Sequence, residues 1–136
     1  MGGILSLLYR SGDGPEEMDG PMVDVPDEAT GLTPRQKRAV AVTWDIVKKD
    51  LKGNGVELLH RFFTKHPQYQ KNFKAFADVP LDELPNSKKF QAHANSVVYA
   101  VTSIVDNLDD PGCLVEMLRK LGQNHGQRHI PEQAFL

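Results

Sequence analysis

Cysteine is almost absent. Among 136 residues only Cys113 occurs. One thiol excludes an intramolecular disulfide framework and any multi-cysteine zinc cluster, and it points to a reducing, cytosolic compartment. Long apolar runs are missing as well. Mean hydropathy is −0.42, and no apolar stretch approaches the ~18–20 residues that a membrane span needs. The chain has no basic run, so nucleic acid is not an expected partner. It has no P-loop, no Gly-rich phosphate cradle and no nucleophile–base pair. No segment alternates apolar and polar residues cleanly over roughly five or six positions, so there is no strand candidate.

What is present divides unevenly. The length suits one domain, at roughly 100–200 residues each. The net charge of −2 conceals a split. Residues 11–30 carry seven acidic side chains and no basic one; residues 31–136 carry 15 basic and 11 acidic ones, a net +4. The acidic stretch also holds Gly12, Gly14, Gly20, Pro15, Pro21 and Pro26. It buries too little apolar surface to offset its ordering entropy, so a disordered tail is expected over residues 1–30, followed by a domain over 31–136. The chain starts Met1-Gly2-Gly3-Ile4-Leu5-Ser6. That fits the Met-Gly-x-x-x-Ser pattern for N-myristoylation of Gly2. One acyl chain anchors marginally, so the expectation is a cytoplasmic protein that can sit peripherally on the inner face of the plasma membrane.

From residue 32 the apolar period is helical, and the fold class is all-α. Thr33-Pro34-Arg35-Gln36 reads as a helix start: Thr33 caps, Pro34 suits the first turn and Gln36 completes a capping box. Val40, Trp44, Val47 and Leu51 then share a stripe. Gly53-Asn54-Gly55 is expected to break that helix. A second helix carries Val56, Leu59, Phe62 and Phe63 and ends near His66-Pro67. A short turn holds Tyr69, Phe73 and Phe76. Asn86-Ser87 opens a long helix bearing Phe90, Ala94, Val97, Val101, Ile104, Val105 and Leu108, and Asp109-Asp110-Pro111-Gly112 stops it. The last helix holds Leu114, Met117, Leu118 and Leu121 and is expected to end at His125-Gly126.

Five histidines are the chemically suggestive set. His93 lies one turn before Val97, so both side chains share a face. His125 ends the next helix, 32 residues later. Two helices joined by a tight turn run roughly antiparallel, which lets His93 and His125 face each other across a cleft. His60 has no evident partner, His66 precedes a helix-starting proline, and Cys113 sits at a turn.

Several motifs, in order and spacing, carry a resemblance to the globin family. They are Trp44, then Gly55-Val-Glu-Leu-Leu59, Phe62-Phe63-Thr-Lys-His66-Pro67, Phe73 and Phe76, Phe90-Gln-Ala-His93-Ala-Asn-Ser-Val97, and Leu118-Arg-Lys-Leu121-Gly-Gln-Asn-His125. The stretch from about residue 31 to 136 is similar to globins. The acylation-like start and the long connection between the two histidines look more like the globin X and neuroglobin branch and its invertebrate relatives than like myoglobin.

The resemblance implies haem b (iron protoporphyrin IX) as cofactor and O2 or a similar diatomic gas as ligand. His125 matches the proximal histidine that binds the iron. His93 matches the distal histidine, able to donate an N–H to the ligand or to reach the iron itself. Phe73 matches the phenylalanine that packs flat on the haem, Val97 the distal wall residue and Leu59 the apolar roof. Leu121 is expected to line the same pocket, and Arg128 and His129 fall where family members contact the propionates. The leading expectation is a reversible oxygen-binding protein. The alternatives are a membrane-tethered redox globin with electron-transfer, nitrite or peroxide chemistry, and a haem-free helical interaction fragment. In the family two further long helices follow the segment matching residue 136. The resemblance therefore implies an incomplete globin fold, with apolar stripes open to self-association and haem held loosely.

Overall fold

The computed structural model describes residues 24–135. The acylation pattern at Gly2 and most of the acidic segment lie outside the described residues. Four α-helices form the body: α1 over Pro34–Lys48, α2 over Leu51–Lys65, α3 over Lys88–Asp106 and α4 over Pro111–Gln127. Short 3-10 turns lie at Pro67–Asn72, Leu84–Asn86 and Glu132–Phe135. Among the described residues there is no strand and no helix long and apolar enough to cross a membrane.

Local chemistry sets the helix starts. The Thr33 hydroxyl accepts from the Gln36 N–H at 3.1 Å, and the Gln36 side chain accepts from the Thr33 N–H at 2.9 Å. This is the capping box read from the sequence. Ser87 caps α3 by accepting from the Phe90 N–H. Asp110 caps α4 by accepting from the Cys113 N–H, which puts Cys113 in the first turn of that helix. Ahead of α1, Asp27 accepts from the Thr30 N–H and hydroxyl and pairs with Lys37. Lys37 and then Thr30 hold the Asp27 carboxyl far below the usual carboxylate range. Residues 24–30 are thereby tied to α1, with a second ion pair from Asp24 to Arg35.

The expected break at Gly53-Asn54-Gly55 is not where the chain turns. α1 ends two residues before Asp50, and Leu51 begins α2. Asp50 caps α2 through the Gly53 N–H at 3.0 Å, and the Asn54 side chain donates to the Val47 carbonyl at 2.9 Å. Propensity reads glycine as a breaker, but tertiary contact overrides it. Gly55 is buried where α2 crosses α3: a Cβ there would meet Val98 Cγ1 at 2.9 Å and the Ala94 carbonyl at 3.0 Å. The missing side chain lets the two backbones approach.

That crossing builds the core. α2 and α3 share the most extensive helix contact. Phe63, Phe76, Leu84 and Phe90 form its buried cluster, with Val56, Leu59, Phe62, Tyr69 and Phe73 packed around it. Phe63 meets Phe73 and Phe76 edge-on at 5.3 and 6.1 Å, and Phe76 meets Phe90 at 88°. Each fully buried phenylalanine contributes about 1.5–3 kcal/mol by removal from water. Edge-to-face contacts add roughly 0.5–1.5 kcal/mol per pair. The flanking helices are more open. None of α1's residues is fully buried, and Trp44 holds it by donating its indole N–H to the Thr102 hydroxyl of α3 at 2.9 Å. Val40, Val42, Ile46, Val115 and Leu118 are exposed on α1 and α4.

Two alanine substitutions separate helix propensity from close packing. At Gly122, where an added Cβ meets nothing within 4 Å, alanine is expected to stabilise by about 0.5–1 kcal/mol. At Gly55, overpacking of about 1–3 kcal/mol outweighs the same gain, so Gly55→Ala is expected to lower the urea midpoint. Midpoints moving in the same direction for both variants would contradict the close crossing.

Candidate functional site

α3 carries His93 and Val97 on one face, and both are half-buried. The Phe73 ring, just past the first 3-10 turn, lies 4.8 Å from the His93 ring, and the buried Phe76 ring lies 5.9 Å from it. Burial pushes the His93 imidazole below its ordinary basicity, with smaller contributions from His125 and Arg128. His93 of α3 and His125 and Arg128 of the end of α4 therefore lie within electrostatic reach of one another.

His125 is half-buried near the end of α4. Its Nδ1 lies 2.8 Å from the Leu121 carbonyl, one turn earlier. A carbonyl can only accept, so Nδ1 carries a proton, which in the neutral ring leaves the lone pair on Nε2. That is the tautomer a metal-binding imidazole needs, and its orientation is set by the second nitrogen's hydrogen bond. Leu121 thus acts through its backbone, and its side chain is half-buried on α4. Leu59 of α2 packs against the core cluster.

The end of α4 differs from the expected stop at Gly126. The helix runs to Gln127 with Arg128 as C-cap. His129 then adopts φ +54. Its N–H donates to the Gly126 carbonyl and that of Ile130 donates to the His125 carbonyl, the paired bonds of a left-handed helix terminus. A histidine occupies a position that glycine fills with less strain. Arg128 and His129 are both exposed at this end.

The other histidines face elsewhere. His60 does have a partner: its Nε2 lies 3.0 Å from the Leu81 carbonyl. His66 caps the end of α2 and packs against Phe62 and Tyr69. Sequence reasoning passed over Gln70. It is 7% exposed, and its amide donates to the carbonyls of Phe76 at 2.9 Å and Val79 at 2.8 Å, with Ala77 at 3.4 Å. Nothing in the local pattern distinguishes it from the neighbouring Gln68.

No cluster of three or more His, Cys, Asp or Glu that could hold a bare metal ion occurs among the described residues. The donor set suits a prosthetic group held by an imidazole instead. It offers His125 oriented by its Nδ1 bond, a weakly basic His93, and aromatic surface from Phe73 and Phe76 beside His93.

The shift at His93 has a stability consequence. Above the ordinary imidazole value of about 6.5, folded and unfolded chains both hold it neutral. Below that value the unfolded chain takes up a proton first, so stability falls with pH until the depressed folded value is passed. Urea midpoints of the protein between about pH 7.5 and 5 are expected to fall toward acid, and His93→Leu to flatten that slope. An unaltered slope in the variant would place His93 in water.

The Globin family profile matches residues 56–136. The chain is 31% identical over 109 residues to a globin of Nerita albicilla, covering 80% of this chain and 69% of that protein. It is 30% identical over 117 residues to cytoglobin-2 of Oryzias latipes, covering 85% and 65%. It is 36% identical over 103 residues to extracellular globin-E1 of Artemia, of which it spans 53%. The structure superposes on a Drosophila melanogaster globin with a TM-score of 0.69 at 25% identity, over 76% of this chain and 69% of that one. Profile, pairwise identity and backbone agree on the same all-helical family, and the chain belongs to the globin family.

Proposed function

We propose that the chain binds haem b between His93 and His125 and takes up O2 or a similar diatomic ligand reversibly. The observation that carries this reading is the His125 tautomer, fixed by the Leu121 carbonyl at 2.8 Å, with His93 within electrostatic reach. Bound there, haem would supply a ferrous iron with one coordination position for the ligand. His125 would hold it through Nε2. Phe73 and Leu59, with Val97 and Leu121, would keep the pocket apolar and exclude water. His93 would offer an N–H to the ligand from a ring that stays neutral near pH 7, because burial disfavours its charged form. Arg128 and His129, at the exposed end of α4, would meet the propionates. The relatives include a cytoglobin and an extracellular globin, and family membership supports ligand binding in preference to any one physiological role.

The depressed basicity of His93 also favours a second reading. A neutral imidazole is itself a ligand, and both histidines on the iron would suit electron transfer. A low-spin six-coordinate ferrous spectrum in the absence of added ligand separates this from open-site O2 binding.

Reconstitution with hemin is expected to give a Soret band with histidine ligation, and His125→Ala to abolish that ligation. A normal histidine-ligated spectrum in His125→Ala would overturn the assignment. His93→Leu is expected to retain haem but release O2 faster. A hydrogen bond to a partly charged acceptor contributes about 1.5–3 kcal/mol, so the off-rate should rise on the order of tenfold or more. Stopped-flow displacement measures it, and an unchanged rate would remove His93 from the ligand's surroundings.

A further inference from the structure

Gln70 is the one buried polar residue among those described. It stands in the 3-10 turn after α2, and its side chain spans the irregular loop that follows. Its two amide hydrogens are taken by the carbonyls of Phe76 and Val79 at 2.9 and 2.8 Å, with Ala77 a longer third contact at 3.4 Å. The loop's own backbone supplies isolated turns: Phe73 N–H to the Gln70 carbonyl, Phe76 N–H to that of Phe73, and Val79 N–H to that of Phe76. Such single turns lack the ladder that stiffens a longer helix. The Gln70 amide is the cross-brace.

The braced loop carries two rings with a particular neighbour. Phe73 and Phe76 stack on each other at 5.2 Å and both meet the His93 ring, at 4.8 and 5.9 Å. His93 is anchored to α3 by its backbone, but its ring swings about two side-chain torsions. The loop rings form the wall that limits that swing. We propose that Gln70 is a positioning residue for the distal side of the pocket: by tying the loop through the Phe76 and Val79 carbonyls, it holds Phe73 and Phe76 where they fix the orientation of His93. This rests on the reading of His93 as the distal group.

The test is Gln70→Met in the haem-loaded protein. Methionine keeps the length and bulk and removes both donors. The O2 dissociation rate is expected to rise about three- to tenfold, the range left when the His93 hydrogen bond is kept but misaligned. In a His93→Leu background the same substitution is expected to leave the rate unchanged, because its effect passes through His93. Thr102→Val serves as the control. It removes another partly buried side-chain bond, the one from Trp44 at 2.9 Å, far along α3 from the loop, and is expected to lower stability without moving the rate. In the haem-free protein, the nuclear Overhauser contact between the His93 and Phe73 rings is expected to weaken in Gln70→Met and persist in Thr102→Val. Should Gln70→Met fail to fold, Gln70→Asn, which keeps the amide one methylene short of its acceptors, is expected to shift both readouts in the same direction. An unmoved O2 rate with an intact Soret band, or an equal shift in the His93→Leu background, overturns the proposal. A wild-type protein without any Soret band overturns the haem reading instead. The ring contact then decides the Gln70 proposal by itself, and its persistence in Gln70→Met overturns it.

Discussion

The close crossing of α2 over α3 at Gly55 governs the geometry of the rest. With no Cβ at that point, the α2 backbone rests against Val98 and the Ala94 carbonyl. Phe63, from the next part of α2, then reaches the ring cluster of Phe76 and Phe90. Phe90 lies one turn before Ala94 and two before Val98 on α3, and all three are buried. His93, next to Ala94 in sequence, is rotated by about 100° from that buried stripe, as a helix of 3.6 residues per turn requires. A larger interaxial distance would loosen the aromatic cluster and displace His93 relative to α4. The placement of His93 is therefore inherited from a packing event on the adjacent face of the same helix.

Electrostatics adds a finer adjustment. His93 receives unfavourable influence from burial first, and from His125 and Arg128 second. All three make its charged form costly. The apolar wall of Phe73 and Phe76 serves the same end by displacing water from one side of the ring. His125 is governed differently, by a directional bond to its own helix backbone. One imidazole is tuned by its surroundings and the other by its tautomer, and the two devices lie on different helices.

Much of this was legible in the residues because it is local. The Thr33–Gln36 box and the helix start at Ser87 act within one turn, so their pattern survives in the linear sequence; Asp110 and Pro111 read there as the stop of α3 and also begin α4. The stripe of Phe90 and Ala94 was legible by its period. The pairing of His93 with His125 followed from helix order and family resemblance. Gly53-Asn54-Gly55 misled because a glycine's role depends on what approaches it, and Val98 is more than forty residues distant. Gln70 was invisible for a related reason. Its acceptors are main-chain carbonyls, which every residue has, so no side-chain pattern announces them. The left-handed His129 is a third case: preference favours glycine there, and the conformation is set by the terminal bonds to His125 and Gly126.

α1 stands apart from this framework. It has no fully buried residue. Its attachments among the described residues include the Trp44 indole bond and the Asn54 bond to the Val47 carbonyl, and ion pairs of Lys37 with Asp27 and Asp109 and of Lys48 with Asp106. Segments with few buried apolar contacts open at lower free energy than the global transition, and exposed ion pairs weaken as ionic strength rises. α1 is therefore expected to open at lower free energy than the α2–α3 pair with its aromatic cluster, and rising salt to favour that opening.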